Sequence, residues 1–351
     1  MNHFARYFLW LVLMFITASS CVDEISIESG FSESQMVVEG AVHNGPGPYT
    51  IRIGETQPDE RLPEPVSGAA VVLVQSQEKR IPFNEMESGI YQNSDEGFRG
   101  QPGESYHIEI ELGDGRSFFS EPERMPLFSA SSTVHLEPGF IQEPTASGRT
   151  RDEPAIFVSA DTDIPETINP VYLKWTIEGV YAFREIQLPG PFAPPAKTCI
   201  INETVSPQNI VLFADNRTDS GQITGQLLAT KKVIFEQFYI RYYFNVITSS
   251  ITERRYNYWQ NVDEMINQSG TIFDVPPANV AGNIKSHNNS GIPPLGYFEA
   301  ALNDTSREFI LRRDFTFTIP DPCSRSNAER NPSCFNCLEI ENSTLDRPHY
   351  F

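Results

Sequence analysis

The chain has 351 residues, of which 26 are Lys or Arg and 46 are Asp or Glu, so its formal net charge is -20. Binding to nucleic acid through phosphate contacts needs a basic surface, and this charge balance disfavours it. Hydrophobic residues at 39% and charged residues at 21% lie near the globular average, which argues against wholesale disorder. A chain of this length is expected to form two domains, because single cores stop growing at about 250–300 residues.

The first 20 residues have the pattern of a secretory signal peptide. One charged residue, Arg6, precedes an apolar run over 8–16, and small residues follow at 18–20. A helix needs about 20 apolar residues to span a bilayer. The run is shorter than that, so we predict a cleaved signal rather than a permanent transmembrane anchor.

Cys21 follows the small residues, and Ala18-Ser19-Ser20-Cys21 resembles the bacterial lipobox, in which the cysteine is acylated and becomes the mature N-terminus. Ala18 stands where Leu is usual, and an ordinary thiol after simple cleavage is the alternative. Attachment of palmitate and further acyl chains at Cys21 would hold the protein on a membrane, at about 0.8 kcal/mol per buried methylene. Residues 21–34 are interpreted as a tether, and its acidic start resembles the surface-export signal of Bacteroidota lipoproteins.

Short alternating segments between Gly and Pro turns predict a mainly β N-terminal domain at 35–127. The clearest hairpin alternates apolar and polar residues over 106–112, turns at 113–115 and returns through 118–119. Motifs such as Val38-Glu39-Gly40 and Gly103-Glu104-Ser105-Tyr106 resemble carboxypeptidase-regulatory-like modules. This resemblance implies an Ig-like or transthyretin-like β-sandwich.

A proline-containing stretch at 128–154 is interpreted as a junction, and alternation resumes in a second, larger β domain at 155–320. The segment 238–246 is predicted to be one of its strands. On that segment, Tyr239 and Tyr243 are a candidate platform for stacking a sugar or peptide. The alternative is that this tyrosine row packs under a loop.

One helix is predicted within the second domain, at about 251–268. Ser250 and Glu253 have the spacing of a capping box, and Gly270 is a C-terminal stop signal. Apolar residues recur at helical intervals at Trp259, Val262 and Ile266. Trp259 is expected to be a core residue, and Arg254 and Arg255 are expected to be solvated.

Four cysteines remain after Cys21, and they are Cys199, Cys323, Cys334 and Cys337. An even number in an exported chain predicts two disulfides, with three possible connectivities. Three of the four lie in the tail at 321–351, which is therefore expected to be held to the body. A structural zinc site made by the three tail cysteines with His349 is the less favoured alternative, so no metal is predicted.

Several motifs resemble the Bacteroidota lipoprotein family of the domain of unknown function four-two-four-nine. They are Ile251-Thr252-Glu253, Tyr258-Trp259-Gln260, Gly282-Asn283-Ile284, Leu295-Gly296-Tyr297-Phe298 and, at the two ends, Cys21-Val22-Asp23-Glu24 and Cys334-Phe335-Asn336-Cys337. The resemblance implies an outer-membrane lipoprotein that is frequently encoded near TonB-dependent transporters, and it brings no catalytic residues. The family often has adjacent cysteines and a final Trp, whereas this chain has Ser333-Cys334 and Phe351, which leaves the disulfide pairing open.

The sequence contains no short metal, nucleotide or nucleophile-elbow motif, so no enzyme activity and no cofactor are predicted. The leading hypothesis is a non-catalytic binding or scaffolding accessory of a TonB-dependent nutrient transporter, anchored in the outer membrane by its lipid. One alternative is a surface glycan hydrolase, because two carboxylates about 5 to 9 Å apart leave no short motif. Another is an adhesion or stalk protein. Two buried acids facing each other would favour the hydrolase, and an aromatic-rich surface would favour binding.

Overall fold

The computed structural model describes residues 34–57, 62–76, 79–95, 97–166, 170–205, 210–215, 221–267, 280–287, 292–324 and 331–351. The signal peptide, Cys21 and the proposed helix stop at Gly270 lie outside these ranges. Among the described helices, none combines the length and apolarity needed to cross a membrane.

Nine strands form the N-terminal part of the chain. They are β1 (Met36–His43), β2 (Thr50–Glu55), β3 (Glu64–Pro65), β4 (Ala70–Gln75), β5 (Arg80–Glu87), β6 (Ile90–Asn93), β7 (Ser105–Glu111), β8 (Ser117–Ser120) and β9 (Glu123–Arg124). The predicted hairpin is present, since β7 and β8 pair antiparallel with Glu109 opposite Phe119. The alternation also has the expected effect, because Tyr106, Ile108 and Ile110 are fully buried.

The described residues after 124 add ten strands and two helices. They are β10 (Ser131–Pro144), β11 (Thr150–Ile164), β12 (Val171–Arg184), β13 (Thr198–Val205), β14 (Val211–Asp215), β15 (Gly221–Lys232), α1 (Phe235–Phe238), β16 (Arg241–Ser250), α2 (Glu253–Asn267), β17 (Ile284–Ser286), β18 (Leu295–Leu311) and β19 (Ser343–Thr344). Three single 3₁₀ turns follow β18 or lie in the tail, at Arg312–Asp314, Pro332–Cys334 and Cys337–Glu339. The prediction of a mainly β fold with sandwich-type packing is confirmed.

In the part of the chain that the structure describes, the strands enclose two large hydrophobic cores and a third, smaller cluster around Val180 and Tyr243. Around the first core the sheet order is β17-β8-β7-β4-β5-β6-β2-β1-β18, with β3 and β9 attached at its side. The second core lies between the three-stranded sheet β10-β11-β15 and the sheet that contains β18, β16, β12 and β13. Ile156 and Val158 come from one face of this second sandwich, and Trp175 and Phe244 come from the other.

Strand β18 belongs to both sandwiches. Its first half pairs in parallel with β1, from Leu295 opposite Val37 to Ala301 opposite His43. Its second half pairs antiparallel with β16, ending with Leu311 opposite Arg241. The first core also takes Ile284 and Phe298 from the last quarter of the chain. The two halves of the molecule are therefore joined by one continuous strand.

The stretch predicted to be a junction, 128–154, is mostly a β-hairpin. Strands β10 and β11 pair along their whole facing length, from Ser131 opposite Asp163 to Pro144 opposite Thr150. Proline removes a backbone N–H, which argues against a central strand but is tolerated at a sheet edge. Because β10 is the edge strand of its sheet, Pro138 and Pro144 do not interrupt it.

The predicted helix is present as α2, but its cap differs from the expected one. Ser250 is the last residue of β16, where its side chain accepts a 3.4 Å hydrogen bond from the backbone of Ala130. Thr252 is the N-cap instead, and its Oγ1 accepts a hydrogen bond from the backbone N–H of Arg255 at 3.2 Å. Two hydroxyl residues near a helix start make the capping residue ambiguous in sequence alone.

Candidate functional site

The internal motifs that carry the family resemblance, between residues 251 and 298, come together where the two sandwiches meet. A cleft of about 340 Å³ is lined there by residues of α2, of the segment before β17 and of β18: Glu253, Arg254, Asn257, Tyr258, Asn261, Ala281, Gly282 and Tyr297. The helix residues repeat at intervals of three and four, so they share one face of α2. Two tyrosine rings and two asparagine amides give this cleft an aromatic and polar wall.

Close backbone packing holds the floor of the cleft. A Cβ atom on Gly282 would lie 1.6 Å from the carbonyl oxygen of Gly296. Gly296 has a φ of +93°, and a Cβ there would lie 2.0 Å from the carbonyl oxygen of Val38. Next to them, the Asn283 side chain accepts from the N–H of Phe298 at 2.9 Å and donates to its carbonyl at 2.8 Å. Both glycines are required because any side chain would separate these backbones.

Glu123, at the end of the first sandwich, is a buried carboxylate whose side chain is 1% exposed. It accepts hydrogen bonds from the Tyr297 hydroxyl at 2.5 Å and the Thr252 hydroxyl at 2.8 Å, and it lies 3.0 Å from Nε of Arg254. Burial, together with the charge of Glu123, raises the pKa of Tyr297. The phenol therefore stays protonated and keeps donating, which ties β9, α2 and β18 together.

A second carboxylate, Glu299, lies behind the tyrosines and is largely enclosed, with its side chain 15% exposed. Nε of Arg255 lies 2.5 Å from Oε2 of Glu299. Burial opposes ionisation of Glu299, but the charges of Arg255 and Lys174 outweigh it and hold its pKa below the usual value. Burial lowers the pKa of Lys174 and of His43, which also faces this carboxylate. Glu299 thus gathers two cations, one from α2 and one from β12.

Aromatic rings enclose these cations. The Arg255 guanidinium carbon lies 5.0 Å from the ring centroid of Tyr258, 4.5 Å from that of Trp259 and 4.4 Å from that of Tyr297. The Lys174 ammonium lies 4.0 Å from the centroid of Trp259. Nη1 of Arg255 and Nε1 of Trp259 are buried without a hydrogen-bond partner in the described chain. Cation–π contacts are strongest when the cation is desolvated, as it is here.

The expectation that both arginines are solvated is wrong for Arg255, which is buried, while Arg254 remains exposed with its head group on Glu121 and Glu123. The sequence signal that was available is the spacing of Arg255 and Trp259, which puts them on the same helix face. Glu299 and Lys174 gave no signal, because nothing local distinguishes them from other charges on strands. The two carboxylates Glu123 and Glu299 each face a cation.

The cysteine tail has the predicted number of disulfides, and its connectivity is now defined. Cys199 is bonded to Cys337 and Cys323 to Cys334, with Cα–Cα distances of 5.9 Å and 5.6 Å. These bonds use all the cysteines of the zinc alternative, which is therefore wrong. Within the ranges that the structure describes, no group of three or more His, Cys, Asp or Glu residues is arranged to hold a metal ion.

The candidate tyrosine platform is not an open surface. Tyr243 is 5% exposed, its hydroxyl donates to the carbonyl of Tyr350 at 2.7 Å, and the ring of Phe351 lies 5.0 Å away. Tyr239 lies beyond the end of α1, outside the strand, with the Arg312 guanidinium 4.9 Å from its ring. The predicted strand began too early, because 235–238 form a helical turn and β16 starts at Arg241. The alternative, a tyrosine packed under another segment, holds for Tyr243.

Comparisons with known proteins give a family and no named function. The model of a family described as "Domain of unknown function (DUF4249)" matches residues 22–307, which include every residue that lines the cleft. No curated protein matches the chain. A crystal structure of a DUF4785 family protein from Legionella pneumophila is similar with 13% sequence identity and a TM-score of 0.21, over 63% of this chain and 54% of that one. This chain therefore spans about half the length of that protein.

Proposed function

We propose that this chain, which belongs to the family of the domain of unknown function DUF4249, is an outer-membrane lipoprotein and a non-catalytic binding and scaffolding accessory of a TonB-dependent nutrient transporter. The signal sequence and the lipobox-like stretch that ends at Cys21 support the address and the anchor. The net charge of -20 keeps the body soluble and repels it from anionic surfaces, which favours a role beside the membrane rather than in it.

The proposal rests on the way in which the two sandwiches are joined. Strand β18 runs through both sandwiches, and Glu123 and Glu299 are each neutralised by cations across the boundary between them. A body joined in this way keeps distant surfaces in a fixed relation, which is the requirement of a scaffold. The carboxylates of a glycosidase have to face each other across the substrate. Here the acids of the junction serve as structural ties.

The cleft between α2 and β18 is where we expect binding. Tyr258 and Tyr297 offer aromatic faces, and Asn257 and Asn261 offer amides that can both donate and accept hydrogen bonds. Ligand sites usually combine aromatic or apolar surface with a few polar groups, and this cleft offers both. The hydrogen bonds and ion pairs of Glu123 and Glu299 lie beneath this wall and keep it in a fixed shape before a ligand binds.

Co-purification from membranes tests the proposal. The tagged full-length protein is recovered from detergent-solubilised membranes, and the Cys21→Ser variant serves as the control for anchoring. We expect an outer-membrane transporter to accompany the wild-type protein at near-stoichiometric yield, and mass spectrometry to find acyl chains on Cys21. Recovery of the wild-type protein alone, with a bare thiol at Cys21, would contradict the proposal.

A further inference from the structure

The loop between β12 and β13 carries the most exposed large apolar side chain that the structure describes. Phe192 is 97% exposed, and Leu188 on the same loop is 39% exposed. The ten residues from 187 to 196 contain four prolines and no charged residue, in a chain whose net charge is -20. Depletion of charge around an exposed aromatic anchor is typical of the core of a protein–protein interface.

The loop is braced, so Phe192 is presented in one position. Gly190, Pro191, Phe192 and Ala193 form a turn in which the N–H of Ala193 donates to the carbonyl of Gly190 at 3.3 Å. The Gln187 side chain spans the loop, donating to the Pro194 carbonyl at 3.1 Å and accepting from the N–H of Ala196 at 3.0 Å. A loop that is already ordered loses little conformational entropy when it binds.

The disulfide-held tail clamps the base of this loop. The Glu185 carboxylate accepts from the backbone N–H of Lys197 at 3.0 Å and from that of Cys337 at 3.0 Å. The Lys197 ammonium pairs with Glu185 at 3.1 Å, and the N–H of Ile186 donates to the carbonyl of Cys334 at 2.9 Å. Both ends of the loop are thereby fixed to the two cystine-bonded 3₁₀ turns. Two apolar side chains are exposed beside the loop's base, Phe335 directly after the first turn and Leu338 within the second.

The position of the loop indicates what it meets. The side chain of Gln35, where the tether joins the body, donates to the carbonyl of Pro293 just before β18. Arg184, where the loop begins, lies at the opposite end of β18, since Tyr181 is opposite Tyr242 and Tyr242 is opposite Ile310. At about 3.3 Å per residue, roughly 50 Å of strand separates the two ends. The loop therefore lies at the end of β18 opposite to Gln35, where the proposed tether joins the body.

We infer that the loop 187–196 is a docking site for the transporter. Phe192 inserts into an apolar pocket formed by the membrane-distal loops of that transporter. This inference rests on the proposed function, which supplies the partner. Outer-membrane barrels have long loops on their extracellular side, which reach away from the bilayer. A lipid surface fits less well, because the tether leads to the opposite end and the acidic body is repelled by anionic headgroups.

Site-specific photo-crosslinking in the full-length membrane-anchored protein tests this inference. The photoreactive residue p-benzoylphenylalanine replaces Phe192 in one variant and Met86, which is 63% exposed on the first sandwich, in the control. We expect position 192, and not position 86, to crosslink the same transporter that co-purifies with the wild-type protein. Phe192→Ala should lower transporter recovery at least tenfold, while Met86→Ala leaves it unchanged and both variants keep the wild-type melting temperature.

The outcomes separate this inference from the proposed function. In one outcome, the wild-type protein recovers a transporter while position 192 crosslinks only lipid, a second copy of this chain or nothing. That result would refute the docking role of the loop and leave the accessory role standing. Unchanged transporter recovery with Phe192→Ala would refute the docking role of the loop in the same way. If the wild-type protein recovers no transporter, the proposed function fails and the inference fails with it.

Discussion

Glu299 is the residue on which the junction between the sandwiches depends most directly. It neutralises Arg255 at 2.5 Å and also faces Lys174, both of which are buried. Removing one member of a buried ion pair leaves the other charge without compensation, which costs about 3–5 kcal/mol. Two cations would be left uncompensated here.

We therefore expect Glu299→Gln to lower the free energy of unfolding by about 3 kcal/mol, measured by chemical denaturation. Glu308 lies on the same strand with an exposed side chain, so Glu308→Gln is the matched control and should change stability by less than about 0.5 kcal/mol. Equal effects of the two substitutions would show that the buried pair contributes nothing specific.

The same residue predicts a pH dependence. The pKa of Glu299 is lower in the folded protein than its ordinary value of 4.5, so the unfolded chain binds its proton more readily. Its stabilising contribution is present above about pH 4.5 and is lost as the pH falls through the folded-state value. The stability gap between wild type and Glu299→Gln should thus hold from pH 7 to about pH 4.5 and narrow as the pH falls further. A gap that stays constant well below about pH 4.5 would refute the assignment.

Among the elements, the contact between β18 and the segment before β17 is the tightest. The Gly282 and Gly296 backbones approach so closely that a methyl group has no room between them. The Asn283 side chain completes the contact by imitating a neighbouring strand, with one acceptor and one donor for Phe298. This packing sets the floor of the candidate cleft as well as the edge of the first sandwich.

Gly282→Ala is expected to lower the free energy of unfolding by about 2–3 kcal/mol, because the added methyl group has to push β18 away from its neighbour. Gly113→Ala is the control, since a Cβ there meets no atom of the described chain within 4 Å. Thermal unfolding of both variants, followed by circular dichroism, measures the difference. A Gly282→Ala variant as stable as the control would contradict the close approach.

How far the sequence predicted these elements depends on the range of the interactions. Alternation over 106–112 located β7, and the pattern around Trp259 located α2, because both signals are local. Pro138 was misread, since proline marks a strand edge as well as a break, and edges are not visible in sequence. The disulfide pairing also required three-dimensional proximity, because Cys199 is far in sequence from Cys337.

On the scale of the whole molecule, the two sandwiches are expected to be stable only together. The first core is completed by Ile284 and Phe298, which lie far beyond the predicted boundary at 127. A fragment of residues 35–127 would leave β1 without its parallel partner and these core positions empty. Strand edges and apolar surface that are exposed in this way destabilise a small domain.

We expect the fragment 35–127 to be unfolded or aggregated when it is produced alone, as judged by circular dichroism and NMR dispersion. The intact body, residues 35–351, should unfold in a single calorimetric transition, because β18 couples both cores. Cooperative folding of the isolated fragment, or two separated transitions in the intact body, would show that the domains are independent.

Part of the cleft could be predicted at this scale and part could not. The motifs at 251–260, 282–284 and 295–298 were recognisable in sequence, and they do converge. That Glu123 and Glu299 serve as ties could not be foreseen, because their cations come from other strands and from a helix. A buried charge is identified by its surroundings, and those exist only in the folded chain.

The double role of β18 also has a consequence for biogenesis. Val37 and Leu295 are neighbours in the sheet although most of the polypeptide separates them, so the topology has a high contact order and predicts slow folding. The hydrophobic core of the first sandwich is complete only after the C-terminal third of the chain has been added. We expect this order to suit the export that we propose, because the chain would stay unfolded during translocation and fold only after it.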